Sequence, residues 1–173
     1  MLGDSDLILR PYRPGDRDDL ARLADNPNVS RGLADRFPSP YRPEDAETWI
    51  ELTSAEDPPV SFAVFWRETF VGGAGLIPLA DLHRGTAEFG YWLGEPYWGL
   101  GLATRAAALL AAYAFRELPF IRLQAEVFDW NGASMRVLEK NGFTREGVLR
   151  RHITKRGQVC DAVVYARLRG DEK

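Results

Sequence analysis

Gly99 and Gly101, within LGEPYWGLGLATR (93–105), are the residues whose type and spacing first suggest chemistry in this chain. An extended apolar segment runs into the glycine pair and then straight into an alanine-rich helix. Without a Cβ in the way, the chain can turn so that successive N–H groups converge at a helix N-terminus. Such a point favours an anion, above all a phosphate. Taken alone, the pattern also fits a plain strand-to-helix turn. Elsewhere, His152 carries an imidazole that could reach a reacting amine, or it is an ordinary surface histidine. No His, Cys and carboxylate cluster has metal-ligand spacing, so no metal is expected, and no nucleophile elbow or dinucleotide fingerprint is complete.

Length and composition bound what those residues can serve. The 173 residues, 45% apolar and 27% charged, predict one globular domain spanning 1–173 with a sizeable core. A net charge of -3 and a pI near 5.5 argue against broad nucleic-acid binding and favour a small molecule or a peptide as partner. Cys160 is the single cysteine, which excludes an internal disulfide and suits a reducing compartment. It is expected to pack as a small apolar residue. The opening MLGDSDLILR lacks the pattern of a signal peptide, and the apolar run 106–115 is about half of a membrane span, so a cytoplasmic protein with no membrane partner is expected.

The elements that must position the loop follow in order. Leu7 to Arg10 reads as a short strand, 16–25 as a helix that Asp16 can cap, and 43–53 as a second helix opened by Pro43. The four prolines of 26–43 predict a rigid irregular loop. Phe37 and Trp49 read either as core anchors or as ligand-facing aromatics. Residues 60–66 and 70–77 form an antiparallel hairpin, with Gly72 and Gly73 permitting a bulge or a close backbone approach. Residues 86–93 make the strand that feeds the glycines. Residues 103–116 make a helix, apolar nearly all round and therefore buried. In 120–128, Ile121, Leu123, Ala125 and Val127 alternate against Arg122, Gln124 and Glu126, a strand parallel to the one before the helix. Asp129 or Asn131 caps a short helix closed by Gly142 in a left-handed C′ position, with Phe143 as its apolar partner. A hairpin of 146–153 and 158–168 ends the chain.

Two separated motifs, AEFGYWLGEPYWGLGLAT (87–104) and NGASMRVLEKNGF (131–143), together resemble the GNAT superfamily of acyl-CoA-dependent N-acetyltransferases. The nearest likeness is to the branch of the ribosomal-protein N-terminal alanine acetyltransferases, which also opens with an L-x-L-R-P segment like 7–11 and ends in a long hairpin. The resemblance implies an α/β fold: a mixed, mostly antiparallel seven-stranded sheet, splayed between its fourth and fifth strands (86–93 and 120–128), with about four helices on both faces. It implies acetyl-CoA as co-substrate, with pantetheine along the strand of Tyr91, Trp92 and Leu93. The diphosphate would lie on the main chain of Trp98, Gly99, Leu100, Gly101, Leu102, Ala103 and Thr104, and Asn131, Ser134 and Arg136 would also touch the cofactor. It further implies transfer to a primary amine, of a peptide N-terminus or of a small molecule, and the acidic balance already speaks against a nucleic-acid partner. Related enzymes are often homodimers.

Two departures sharpen the expectation. Trp98 and Leu100 stand where the family loop usually carries Arg or Gln and often Lys or Arg, so backbone amides and the helix dipole must hold the phosphates. Leu138 stands where many members place the tyrosine that protonates the departing thiolate. Ser134 is then the best substitute hydroxyl, and Glu88, just before the pantetheine contacts, the leading base or water-orienting carboxylate. Their plainer readings are a helix-start residue and a solvated strand charge. A binding module that has lost catalysis is the alternative from another class. Acceptor choice falls to the loops 26–43 and 150–158.

Overall fold

Helix α4 (Leu102–Glu117) gathers the best helix formers in the chain, and its sixteen residues make a rod of about 24 Å. Leu102, Ala106, Ala107, Leu110, Ala111 and Ala114 are buried while Ala108 and Ala112 are exposed. The helix therefore hides one face rather than its whole circumference, because alanine is small enough to be left in water cheaply.

In a computed structural model that describes residues 1–3 and 6–171, one sheet has the strand order β1-β2-β3-β4-β5-β6-β8-β7. Its strands are β1 (Leu2–Gly3), β2 (Leu7–Arg10), β3 (Ser61–Trp66), β4 (Thr69–Pro78), β5 (Thr86–Leu93), β6 (Arg122–Phe128), β7 (Thr144–Lys155) and β8 (Gln158–Leu168). The other helices are α1 (Arg17–Ala24), α2 (Pro27–Ser30), α3 (Pro43–Ser54) and α5 (Gly132–Lys140). The two-residue β1 is the strand that the sequence pattern is too short to reveal. Asp4, Ser5, Glu172 and Lys173, part of the domain expected over 1–173, lie outside the described residues.

The chain divides into two compact units, Met1–Gly75 with Tyr91–Leu110, and Leu76–Gly90 with Ala111 to the C-terminal end. In the first unit β2, β3 and β4 are antiparallel, and the β3–β4 turn is the pair Arg67 and Glu68, both at positive φ as a two-residue primed turn demands. Thr69, expected in that turn, pairs with Trp66 instead. The register steps from Val64–Gly72 to Phe65–Phe70, leaving Val71 as the bulge. The core here gathers Tyr12, Leu20, Leu23, Tyr41, Ile50 and Phe70, with Phe37 and Trp92 packed against it.

Asp16 does not cap α1 with its side chain. Its buried carboxylate instead takes both guanidinium nitrogens of Arg10, at 2.8 and 2.7 Å, and the Arg13 N–H at 2.8 Å. Among the prolines of 26–43, Pro27 starts the one-turn helix α2, since proline is well suited to a first helical position, and Asn26 caps it. Phe37 is a core anchor, 4.9 Å from the Tyr41 ring and 5.5 Å from Trp92, whereas Trp49 is 37% exposed.

In the second unit β5 and β6 are parallel, and the ladder consists of Thr86–Glu88 against Arg122–Gln124. Leu123, Ala125 and Val127 are buried as the alternation predicts, but Ile121 is 63% exposed because β6 begins one residue after it. Helix α5 ends in a Schellman motif: Phe143 N–H to Leu138 O at 3.1 Å, Gly142 N–H to Glu139 O at 3.1 Å, and Gly142 at φ 76°. Leu138 and Phe143 are both buried there, so the position lacking a tyrosine serves the helix end.

Arg169 closes the C-terminal end of α4. Its guanidinium donates to the carbonyls of Phe115, Leu118 and Phe120, covering acceptors that a helix end leaves open. Charged hydrogen bonds of this kind contribute about 1.5–3 kcal/mol each when buried and less when exposed. Arg169→Ala is therefore expected to lower unfolding stability by about 1.5–3 kcal/mol, with Arg169→Lys between, because an ammonium cannot fork. Denaturant midpoints measure it, and unchanged midpoints would show that water replaces the cap.

Candidate active site

The glycine loop is built within the first unit. Gly99 and Gly101 adopt φ of 77° and 76°, the left-handed region that L side chains resist, and a Cβ at either would meet nothing within 4 Å. The requirement at both is thus one of conformation rather than of space. The first in-helix bond of α4 runs from Arg105 N–H to Gly101 O at 3.2 Å, so the amides of Leu102, Ala103 and Thr104 precede the helix ladder. No acidic side chain stands in that first turn to compete for them. A diphosphate fits what these residues offer: open space over two glycines, convergent amides and the positive end of a sixteen-residue helix.

Three contacts fix the loop. The Trp98 indole N–H donates to Leu93 O at 2.8 Å, so this half-exposed tryptophan ties the loop back to the end of β5, and one lone pair of the Leu93 carbonyl is already in use. Glu95 accepts from the side-chain amides of Asn26 at 2.8 Å and Asn28 at 3.0 Å, fastening the turn before the loop to the start of α2. These two amides hold the Glu95 carboxyl below the usual carboxylate range. Third, a Cβ at Gly72 would strike the Trp92 carbonyl and lie 2.8 Å from Leu93 Cα, so only glycine lets β4 come this close to β5. In the same unit Arg105, in the first turn of α4, pairs with Asp6, which also accepts from the Trp66 indole at 2.9 Å. Tyr91 and Trp92 are half-buried, Leu93 is buried, and Leu100 is 54% exposed.

The other predicted residues lie in the second unit. Asn131 Oδ1 accepts from Ser134 N at 3.2 Å and caps α5; Asp129 does not. Ser134 is half-buried and Arg136 exposed. Glu88 is exposed on β5 and pairs in register with Gln124 on β6, while its neighbours Ala87 and Phe89 are buried on the opposite face. Side chains in register share a face, so Glu88 stands with Arg122, Gln124 and Glu126.

Missing from the sequence reading are two bulges in β7 that deliver side chains to that polar face. At the first, Glu146 has no opposite partner and holds Arg122 through two bonds of 2.8 and 2.6 Å. At the second, Arg150, Arg151 and His152 stand opposite Asp161 alone, and His152 Nε2 comes within 3.7 Å of Glu126 Oε2. The signal was in the sequence only as glycine and charge interrupting a β pattern in EGVLRRH. Cys160 is half-buried, and desolvation, with Asp129 and Asp161 nearby, raises its thiol pKa, the opposite of what a nucleophile needs. Among the described residues no group of three or more His, Cys, Asp or Glu could hold a metal ion, and no helix is long and apolar enough to cross a membrane.

A strand ending in an open double-glycine turn, whose amides meet at the start of a long helix, has the main-chain geometry that suits an anion. A model of the GNAT acetyltransferase domain matches residues 6–144, and the chain belongs to that family. It is 30% identical over 166 residues to an uncharacterized N-acetyltransferase, p20, of Bacillus licheniformis, covering 94% of this chain and 93% of that one. It is 32% identical over 157 residues to the spermidine N(1)-acetyltransferase of Escherichia coli strain K12, covering 87% and 81%. Its fold matches that of RimL, a ribosomal alpha-N-protein acetyltransferase in complex with coenzyme A, with a TM-score of 0.83 at 21% identity over 95% of both chains. The protein is an acetyl-CoA-dependent acetyltransferase.

Gly99→Ala and Gly101→Ala should each cost about 1–2 kcal/mol of stability through left-handed strain, whereas Gly101→Asn should cost less, because asparagine tolerates that region. Denaturation midpoints read this, and equal losses for Ala and Asn would contradict it. The Glu95 contacts predict a pH response as well. A depressed folded pKa stabilises above the unfolded value and loses that contribution as pH falls through the folded one. The 94–98 turn should therefore hold at neutral pH and loosen on acidification below the ordinary glutamate range. Hydrogen exchange at 95–98 tests it, and exchange that stays flat to pH 3, or a Glu95→Gln protein with the same acid response, would contradict it.

Proposed function

We propose that residues 1–173 work as one acyltransfer domain that moves the acetyl group of acetyl-CoA directly onto a primary amine. The support for the cofactor residues is the conformation of Gly99 and Gly101 together with the amides that precede the α4 ladder, whose first bond is Arg105 N–H to Gly101 O. In this reading Trp98 to Thr104 receive the diphosphate, and the main chain of Tyr91 to Leu93 receives the pantetheine amides, the Leu93 carbonyl with the lone pair that Trp98 leaves it. Asn131 and Ser134 touch the acyl-carrier arm, and Arg136 pairs with a CoA phosphate.

Glu88 carries the proton chemistry. The amine must arrive unprotonated, and an exposed carboxylate beside Gln124, reached directly or through one water, accepts that proton. The nitrogen lone pair attacks the thioester carbonyl carbon, a C–N bond forms, and the C–S bond breaks with its electron pair on sulfur, which takes up the proton that the nitrogen sheds on becoming an amide. The Ser134 hydroxyl donates to that thiolate. No covalent enzyme intermediate is required, in keeping with the raised pKa of the Cys160 thiol.

A peptide N-terminal amine is the proposed acceptor. The 32% identity to a spermidine acetyltransferase supports a second reading, a polyamine acceptor, and a panel of both amine types separates the two.

Glu88→Gln is expected to lower kcat by 10²–10⁴-fold, the range of general base catalysis, with the acetyl-CoA Kd unchanged by calorimetry. Unaltered turnover would remove Glu88 from the chemistry. Ser134→Ala should lower kcat about tenfold or more with KM for acetyl-CoA little changed, since losing one hydrogen bond to a charged group is about 1.5–3 kcal/mol. A full-rate variant would leave Ser134 as a capping residue.

A further inference from the structure

We infer that the acceptor is the N-terminal segment of an acidic polypeptide, with Asp or Glu in the residues after the reactive amine, selected by the guanidinium groups of Arg150 and Arg151. The inference rests on the reading of Glu88 as the base and names the substrate class of that same site.

The position of the bulge ties these arginines to the base. His152 reaches Glu126, which lies two residues along β6 from Gln124, the partner in register of Glu88. At about 3.3 Å per residue that is near 7 Å along one face of the sheet. Arg150 and Arg151 immediately precede His152, and the bulge is held open by the Arg151 N–H donating to Asp161 Oδ1 at 2.7 Å, with Arg151 at φ 52°.

Charge gives the chemical class. Residues 144–168 carry six cations, Arg145, Arg150, Arg151, Lys155, Arg156 and Arg167, against Glu146 and Asp161, a net of +4 in a chain of -3. The rest of the chain is therefore -7. Both acids of the arm are engaged within the unit, Glu146 by Arg122 and Asp161 by a main-chain N–H. Arg150 and Arg151 are exposed, and among the described residues neither guanidinium belongs to an ion pair. A polyamine brought to these cations meets like charge, whereas a carboxylate meets a forked donor.

The surroundings favour a polypeptide over a nucleic acid. Val148, Leu149 and Val159 are exposed beside the arginines, and β7 is the last strand of the sheet, with main-chain groups facing outward to pair with an extended chain. The one aromatic ring of Phe, Tyr or Trp type in 144–168 is Tyr165, 1% exposed, so the arm offers no stacking platform for bases.

The test measures thiol release from acetyl-CoA with peptides that share their first two residues and carry Glu or Lys at positions three to five, alongside spermidine. Wild-type protein should show at least tenfold higher kcat/KM for the acidic peptide, declining as salt rises. Arg150→Glu with Arg151→Glu should invert the preference, and the paired Gln variant should erase it. In both variants the acetyl-CoA Kd and the far-ultraviolet circular dichroism should match wild type. A better rate with spermidine or the basic peptide, a preference that survives both variants, or competition by a single-stranded RNA at micromolar concentration would each overturn the inference. Should acetyl-CoA bind while no amine releases thiol, the proposed transfer to an amine falls instead. Anisotropy of labelled acidic and basic peptides with CoA present then decides the acidic class, and equal binding overturns it.

Discussion

The left-handed backbone at Gly99 and Gly101 is the constraint on which the rest of the first unit is arranged. Two residues at φ near 77° make the chain leave β5, turn and enter α4 with its opening amides unclaimed by the helix. A residue with a Cβ there, asparagine least of all, would tend to pull the backbone toward negative φ and rotate those amides away. The surrounding contacts hold the same turn from several sides. Trp98 fastens it to Leu93, Glu95 fastens its approach to Asn26 and Asn28, and the missing Cβ of Gly72 lets β4 sit against the strand that feeds it. The loop offers main-chain amides rather than charged side chains, and these contacts set their geometry in advance.

The second unit solves a different problem, that of placing polar groups over a sheet whose other face is core. β6 alternates cleanly, Leu123, Ala125 and Val127 inward and Arg122, Gln124 and Glu126 outward, and Glu88 joins the outward set through the short parallel ladder. β7 is separated from β6 by β8, so a regular β7 would have its side chains one strand further off. Its two bulges shift that register, and Glu146 and His152 reach Arg122 and Glu126 across β8. The same bulges blunt an edge strand that would otherwise invite pairing along its whole length.

Much of this was legible in the residues. The glycine pair, the alanine-rich helix, the period-2 strand at β6 and the glycine-terminated helix α5 are local patterns, and local physics decides them. What escaped was decided elsewhere in the chain. Asp16 has the chemistry of a cap, but Arg10 and the Arg13 N–H claim its carboxylate first. Trp98 reads as an apolar loop residue until its indole N–H finds the Leu93 carbonyl. The β7 bulges depend on pairing with β8, which no single-strand periodicity reports. Ile121 matched the inward alternation yet sits just outside the strand, and Ala108 and Ala112 show that an apolar helix need not be hidden all round.

The second bulge has one more implication. It is held by a carboxylate on a main-chain N–H, so the strand pairing beneath depends little on the three side chains it displays, beyond the need for a residue that accepts φ 52° at Arg151. Descendants of this scaffold can exchange Arg150, Arg151 and His152 for other residues while the ladder between Leu149 and Ala162 and between Ile153 and Cys160 stays intact. Side-chain identity is thereby largely uncoupled from strand pairing at this one place, and the surface there can change without passing through an unstable ancestor.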